Sequence, residues 1–144
     1  ICTMRIPIKT IRVSVGKAGT ETPTGTWTMH RAGRWQELMG PSWGQYGTHV
    51  VNGIFVHSVA CGQANSYNLP VGEYLRLGNP ASHGCIRACV ADAKWVWDNC
   101  NGSKIHIFDG TYTSNEALKG PLGRKALTPL RGSKNFDPTD PACK

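Results

Sequence analysis

Six consecutive residues, Ser82-His83-Gly84-Cys85-Ile86-Arg87, concentrate more reactive chemistry than any other part of this chain. A cysteine attacks an acyl carbon as its thiolate, so it needs a base within reach and donors for the oxyanion that forms. His83 lies just before Cys85, and His57 ends an apolar run upstream. Gly84 lets the backbone approach a substrate carbonyl closely. A helix predicted after this turn would bring its positive end and free amides to the thiol. Thiol, imidazole and oxyanion donors are together the minimum for covalent acyl transfer.

The elements that must position these residues are legible as alternation. Thr10 to Val15 sets Ile11, Val13 and Val15 on one face and Arg12 and Ser14 on the other, a half-buried strand. A turn-rich loop runs from Gly16 to Gly25, and Thr26 to His30 alternates again as a strand. Residues 31–47 carry Gly and Trp without a period and read as a long connection. Thr48 to His57 gives the strongest strand pattern, with Phe55 and His57 opposite Ile54 and Val56. The irregular stretch 58–81 is long enough to predict a functional lid or binding wall. Residues 88–99 read as one short helix, with Val90, Ala93 and Trp97 on a stripe and Asn101-Gly102 as its stop. Lys104 to Phe108 is the last strand. Beyond it periodicity gives way to Gly, Pro and Lys. Residues 1–110 therefore form the expected catalytic domain, and 111–144 an extended tail on its surface or partly disordered.

A chain of 144 residues fits one domain. Only 17% of it is charged while 17 residues are glycine, which favours short strands and many turns over long helices. The apolar share of 40%, with five tryptophans, supplies an ample core. Sixteen basic residues against nine acidic ones give +7, which attracts polyanions without naming one. There is no Lys/Arg run or basic helix, and aromatics do not interleave with the charges, so a nucleic-acid platform has little support. Six cysteines (Cys2, Cys61, Cys85, Cys89, Cys100, Cys143) suggest an exported protein with one or two disulfides of open connectivity. No export segment or membrane span is visible and the chain begins at Ile1, the expectation for a mature or excised domain.

With these residues in view, the chain resembles the YkuD-type family of L,D-transpeptidase catalytic domains. That family's signature is a His followed at a distance by [S/T]HGC, a hydrophobic residue, and Asn or Arg. Here it reads His57, then Ser82-His83-Gly84-Cys85-Ile86-Arg87. Val13-Ser-Val-Gly16 and Thr22-Pro-Thr-Gly25 resemble the family's early strand and TPxG turn, and Asp92-Ala-Lys-Trp and Ile105/Ile107 fit later on. The likeness spans residues 11 to 109.

The resemblance implies a mainly β fold of that type, a curved β-sandwich or barrel with one short helix after the nucleophile loop. It implies Cys85 as nucleophile, His57 as its base, the Ser58 carbonyl as the group that orients the ring, and His83 in support. Amides of Gly84 and Cys85 would form part of the oxyanion hole, and Ser82 would line the substrate site. Arg87 would fix the loop or hold a substrate carboxylate. The implied substrate is a tetrapeptide stem of peptidoglycan. Cys85 attacks the third residue's carbonyl, D-Ala leaves, and an amine of a second stem resolves the acyl-enzyme; water instead gives L,D-carboxypeptidase activity. Carbapenem β-lactams are the implied inhibitors, and the implied location is outside the cytoplasmic membrane, facing the wall. A monomer is expected. Two features depart from the family pattern: the long interval from His57 to Ser82, and the extra cysteines.

Plainer readings stand beside these. Cys85 could be a small buried hydrophobe and His57 a strand-end histidine satisfied by hydrogen bonds, but the SHGCIR context weighs against both. His30, His49 and His106 read as ordinary polar residues, and Trp95 and Trp97 as helix packing. Tyr67 and Tyr74 are candidate walls of the stem-peptide groove. Cys61, Cys89, Cys100 and Cys143 read as structural, and a reversible bridge from Cys85 to Cys89 would silence the nucleophile. His57, His83, Cys85 and Cys89 also offer zinc donors, but without paired-knuckle spacing, so no metal and no cofactor is expected. A non-catalytic wall-binding module is the remaining alternative, and an intact Cys85 with His57 argues against it.

Overall fold

Eight strands and two helices make up the regular structure of residues 6–109, 125–132 and 134–143, the part that the computed structural model describes. In chain order these are β1 (Gly25–Thr28), β2 (His30–Arg31), β3 (Trp35–Leu38), β4 (Ser42–Gln45), β5 (Thr48–Val51), β6 (Ile54–Ser58), α1 (Val71–Leu75), β7 (Ile86–Ala88), α2 (Val90–Asn99) and β8 (Lys104–Ile107). The fold is mainly β, as expected. Its central sheet has the order β2-β5-β6-β7, and β1-β8 and β3-β4 form separate antiparallel pairs. These sheets do not close into a barrel.

The pair that matters for the site is β6 with β7, which run parallel, so a crossover must join them. Period-2 alternation sends Val56 and Ile86 to the core, where they meet Met29, Val50 and Val96 of α2. The same alternation sends His57 and its register partner Arg87 to the opposite face. The crossover between them is not loose. It turns once as α1 and buries Leu69, Tyr74 and Leu77 with Val59 and Cys89 in a second cluster, closed by Leu127 and Leu130. The stretch predicted as an irregular lid thus carries buried packing anchors along an otherwise exposed course.

Other expectations are corrected in the same way. The run 48–57 is two strands, because Asn52, with a positive φ of 49°, and Gly53 turn the chain into a hairpin. Residues 31–47 are not a plain connection; they hold the β3-β4 hairpin. Thr10 to Val15 pairs through one isolated bridge, Ser14 with Arg87, rather than a continuous ladder. Its polar face is also covered: the Arg12 guanidinium donates to the Leu77 carbonyl at 2.7 Å, and Ser14 Oγ to the Arg76 carbonyl at 3.1 Å. The predicted helix begins at Val90 rather than residue 88, because residues 86–88 are drawn into β7.

The C-terminal segment contributes part of the interior. Phe136, Asp137, Asp140 and Cys143 are buried. Asp137 Oδ2 accepts the Val90 amide at 2.8 Å and Thr139 Oγ1 the Ala91 amide at 3.0 Å, so this segment caps the free donors of α2. The five described cysteines (Cys61, Cys85, Cys89, Cys100, Cys143) are free thiols, against the expectation of disulfides, and Cys2 lies outside the described residues. No described helix is long and apolar enough to cross a membrane.

Candidate active site

Cys85 immediately precedes β7, so continuing the β6-β7 register sets it beside Phe55 on the face that carries His57. Its Sγ lies 3.5 Å from the Phe55 amide, which donates to it, and 3.6 Å from the Gly53 carbonyl. The turn before it is held by residues 15–22. Ala81 and Ser82 amides donate to the Val15 carbonyl at 2.9 and 3.1 Å, and the Lys17 amide returns a bond to the Ser82 carbonyl at 3.0 Å. Thr22 Oγ1 donates to the Gly84 carbonyl at 2.7 Å, and Thr20 Oγ1 to the Ser82 carbonyl at 3.1 Å. Thr20 and Thr22, the latter the first residue of the TPTG turn, thus brace the turn that carries Cys85.

Within the turn, Ser82 is buried and its hydroxyl is used locally. It donates to the Cys85 carbonyl at 2.6 Å and accepts the Gly84 amide at 3.1 Å. The Ser82 side chain thus staples the turn while the residue also lines the cavity, and the Gly84 amide is engaged by its hydroxyl. Gly84 has φ +126°, a conformation that side-chain-bearing residues rarely adopt, so the backbone here favours glycine.

His57 is 2% exposed. Its Nδ1 bonds the Ser58 carbonyl, which can only accept, so Nδ1 carries the proton and Nε2 presents a lone pair. Ser58 Oγ accepts the Gln45 amide at 2.8 Å and draws β4 against β6. That approach depends on Gly44, where a Cβ would lie 2.7 Å from His57 Nδ1. Gly44 is a supporting residue that the motif does not reveal.

Burial pushes the imidazole pKa down to about 4, with the Ser58 carbonyl opposing this and the Arg87 charge adding to it. Burial likewise raises the Cys85 thiol, against the Phe55 amide and Arg87, which lower it. The resting pair is a neutral thiol facing a neutral imidazole.

Arg87 has a carboxylate partner of its own. Its guanidinium donates to Glu73 of α1 at 2.7 Å, and its side chain is 15% exposed. Of the two roles expected for it, fixing the loop is the one this pairing serves: Glu73 ties the crossover to β7. The helix N-terminus expected beside Cys85 stands at the other end of β7. Cys89 occupies it as the N-cap, with its Sγ 3.1 Å from Asp92 Oδ2 and its pKa pushed up to about 11, first by burial.

A cavity of about 620 Å³ opens over the pair, lined by His57, His83, Cys85 and Arg87. His83 is exposed at its edge. The opposite wall is the β3-β4 hairpin, residues 37–40 with Ser42, and not the stretch 58–81, of which Ala60 alone lines the cavity. Tyr74 is fully buried and donates to the Thr128 carbonyl at 2.8 Å, so it cannot line a groove. Tyr67 packs edge-on against Phe136, away from the cavity. The four-donor zinc set does not assemble, because Cys89 belongs to the second core cluster. Among the described residues no group of three or more His, Cys, Asp or Glu is placed to hold a metal.

This geometry has relatives. The family described as the L,D-transpeptidase catalytic domain (YkuD) matches residues 3–120. The putative L,D-transpeptidase YciB of Bacillus subtilis (strain 168) is 59% identical over 27 residues, 19% of this chain and 14% of that protein. Among solved structures, an L,D-transpeptidase from Mycobacterium tuberculosis H37Rv is 23% identical with a TM-score of 0.54, over 69% of this chain and 42% of that one. The L,D-transpeptidase LdtMt1 in complex with imipenem is 24% identical with a TM-score of 0.52, over 70% of this chain and 49% of that one. At these identities the structural likeness speaks for the fold. The chain spans less than half the length of each of these relatives.

Proposed function

The chain belongs to the L,D-transpeptidase catalytic domain family, and from that premise we propose that it is a cysteine-dependent acyltransferase acting on peptidoglycan stems outside the cytoplasmic membrane. The observation that carries this reading is the shared face of β6 and β7. There Cys85 and a buried, neutral His57 with a free Nε2 line one cavity.

In the proposed cycle, Cys85 Sγ attacks the carbonyl of the third stem residue while its proton passes to His57 Nε2. The tetrahedral oxyanion is met by amides of the turn, with the Cys85 amide as the candidate donor because Gly84 N is engaged by Ser82. The C–N bond to D-Ala breaks and His57 returns the proton to the departing amine. An amine of a second stem then attacks the thioester, forming the amide and releasing the thiol. Imipenem, held by the LdtMt1 structure, supports carbapenems as probes of the same thiol.

The test is incubation with a tetrapeptide stem ending in D-Ala, with D-Ala and cross-linked product read by mass spectrometry. The wild type should release D-Ala, Cys85→Ala none, and His57→Ala at least about a hundredfold less, the usual scale of a lost general base. Undiminished release from Cys85→Ala would contradict the reading.

A further inference from the structure

His49 reads from the sequence as an ordinary polar residue, yet the structure engages it twice. Its Nε2 lies 2.7 Å from the Asn52 carbonyl, and a carbonyl can only accept, so Nε2 donates. Its ring meets the Phe55 ring edge-on, with centroids 5.2 Å apart and planes at 72°. Both contacts hold the hairpin between β5 and β6. There Asn52 has a φ of 49°, and the register slips by one residue between His49 and Val51. A slip of this kind re-aims the groups beside it.

That hairpin supplies the backbone cradle of the nucleophile. Cys85 Sγ accepts the Phe55 amide at 3.5 Å and lies 3.6 Å from the Gly53 carbonyl, the acceptor for the thiol proton at rest. A strand amide points to one side only. The Phe55 amide points to Cys85, on the β7 side, so it makes no ladder bond to its register partner His49 in β5. In a pair without ladder bonds the side chains stand closest, and here they are the two rings. β5 therefore steadies Phe55 at this point through the His49 ring. The Asn52 carbonyl that His49 holds belongs to the peptide unit joining Asn52 to Gly53. His49 itself lies behind Phe55, outside the lining of the cavity.

We infer that His49 is a positioning residue for the nucleophile, holding the Asn52 carbonyl and the Phe55 ring so that the Gly53 carbonyl and the Phe55 amide keep Cys85 Sγ in place for attack. This rests on the reading of the site as an acyltransferase and adds a residue to its machinery. The Phe55 amide favours the sulfur whenever negative charge gathers on it, as the proton leaves for His57 and again as the thioester breaks. With a β-lactam, the S–C bond forms as the ring C–N bond breaks, and the thiol proton ends on the ring nitrogen. Because His49 lies outside the cavity lining, its loss slows this chemical step and leaves the encounter with the substrate alone.

The experiment follows carbapenem acylation by intact-protein mass spectrometry over time and concentration, separating the maximal rate kinact from the half-saturating concentration KI. It compares wild type with three variants. His49→Ala removes both contacts, His49→Gln keeps a donor near the Asn52 carbonyl, and His49→Phe keeps a ring against Phe55. His49→Ala should lower kinact about three- to tenfold, the scale of one hydrogen bond, with KI within about twofold of wild type. His49→Gln and His49→Phe should each show an intermediate kinact. The inference is overturned if kinact is unchanged in His49→Ala, or if it falls in all three variants only in step with their thermal midpoints. A rise in KI with kinact intact would make His49 a determinant of binding and overturn it too. Should His49→Ala not fold, the other two variants carry the same test, since each removes one of the two contacts. Failure of the wild type to acylate at all would instead remove the underlying acyltransferase reading, and this inference with it.

Discussion

Two thiols stand at the two ends of β7, and they differ in everything except their titration. Cys85 enters the strand on the face of the cavity, beside Phe55 and in the company of His57. Cys89 leaves it into the second core cluster, bonded to Asp92 at the N-terminus of α2. Burial raises both thiols above their ordinary range. A helix N-terminus is the usual route to a reactive thiolate, yet here the thiol beside it is the enclosed one. Its neighbouring amides are already capped by Asp137 and Thr139. What distinguishes the proposed nucleophile is access and a base on the same face, not a depressed resting pKa. The comparison also disposes of a Cys85–Cys89 bridge. Four residues of extended chain span about 13 Å, well past the roughly 7 Å Cα separation that a disulfide tolerates.

If the company of His57 is what sets Cys85 apart, disturbing the ring should erase the difference between the thiols. Gly44→Ala does this without touching either cysteine, since the added methyl would sit 2.7 Å from His57 Nδ1. Carbapenem acylation should fall roughly a hundredfold, the scale of a catalytic group misplaced by about 1 Å. Overpacking should cost about 1–3 kcal/mol in denaturant unfolding. Unchanged acylation in a folded Gly44→Ala protein would show that the close approach of β4 does not matter.

A smaller effect follows from the neutral imidazole. The folded pKa of His57 is near 4 against 6.5 when free, so the unfolded chain binds the extra proton between those values. Its contribution to stability is present in full above pH 6.5 and is lost as pH falls toward 4. Integrated over that window, denaturant unfolding should report about 2 kcal/mol less stability at pH 5 than at pH 7.5 from this group. The difference should shrink in His57→Gln. An equal pH dependence in the two proteins would mean that His57 is already charged in the folded state.

The reactive core of the site was legible because its residues are contiguous. SHGCIR is a local word, and the alternation ending in Phe55 and His57 gives the face on which the imidazole lies. The Ser58 carbonyl beside the ring also stands where the family resemblance put it. What escaped was what depends on distant pairing. Gly44 matters through the packing of β4 on β6, and nothing in its neighbours announces that. The Asn52-Gly53 turn was visible in principle, as an Asn-Gly pair between apolar runs. The crossover 58–81 looked functional because its Gly, Pro and polar residues hide a single turn of helix and three buried apolar anchors, Leu69, Tyr74 and Leu77. Tyr74 had suitable chemistry for a binding wall, but burial and its bond to the Thr128 carbonyl claim it first. The wall opposite the thiol came from the least periodic part of the sequence. A short hairpin with glycine at 40 and 44 leaves almost no alternation to read.

The most direct test of the account is intact-protein mass spectrometry after brief exposure to a carbapenem, on wild type, Cys85→Ala and Cys89→Ala. One adduct on wild type and on Cys89→Ala, with none on Cys85→Ala, is the result the shared face of β6 and β7 predicts. An adduct that survives in Cys85→Ala, or disappears in a folded Cys89→Ala protein, would contradict it.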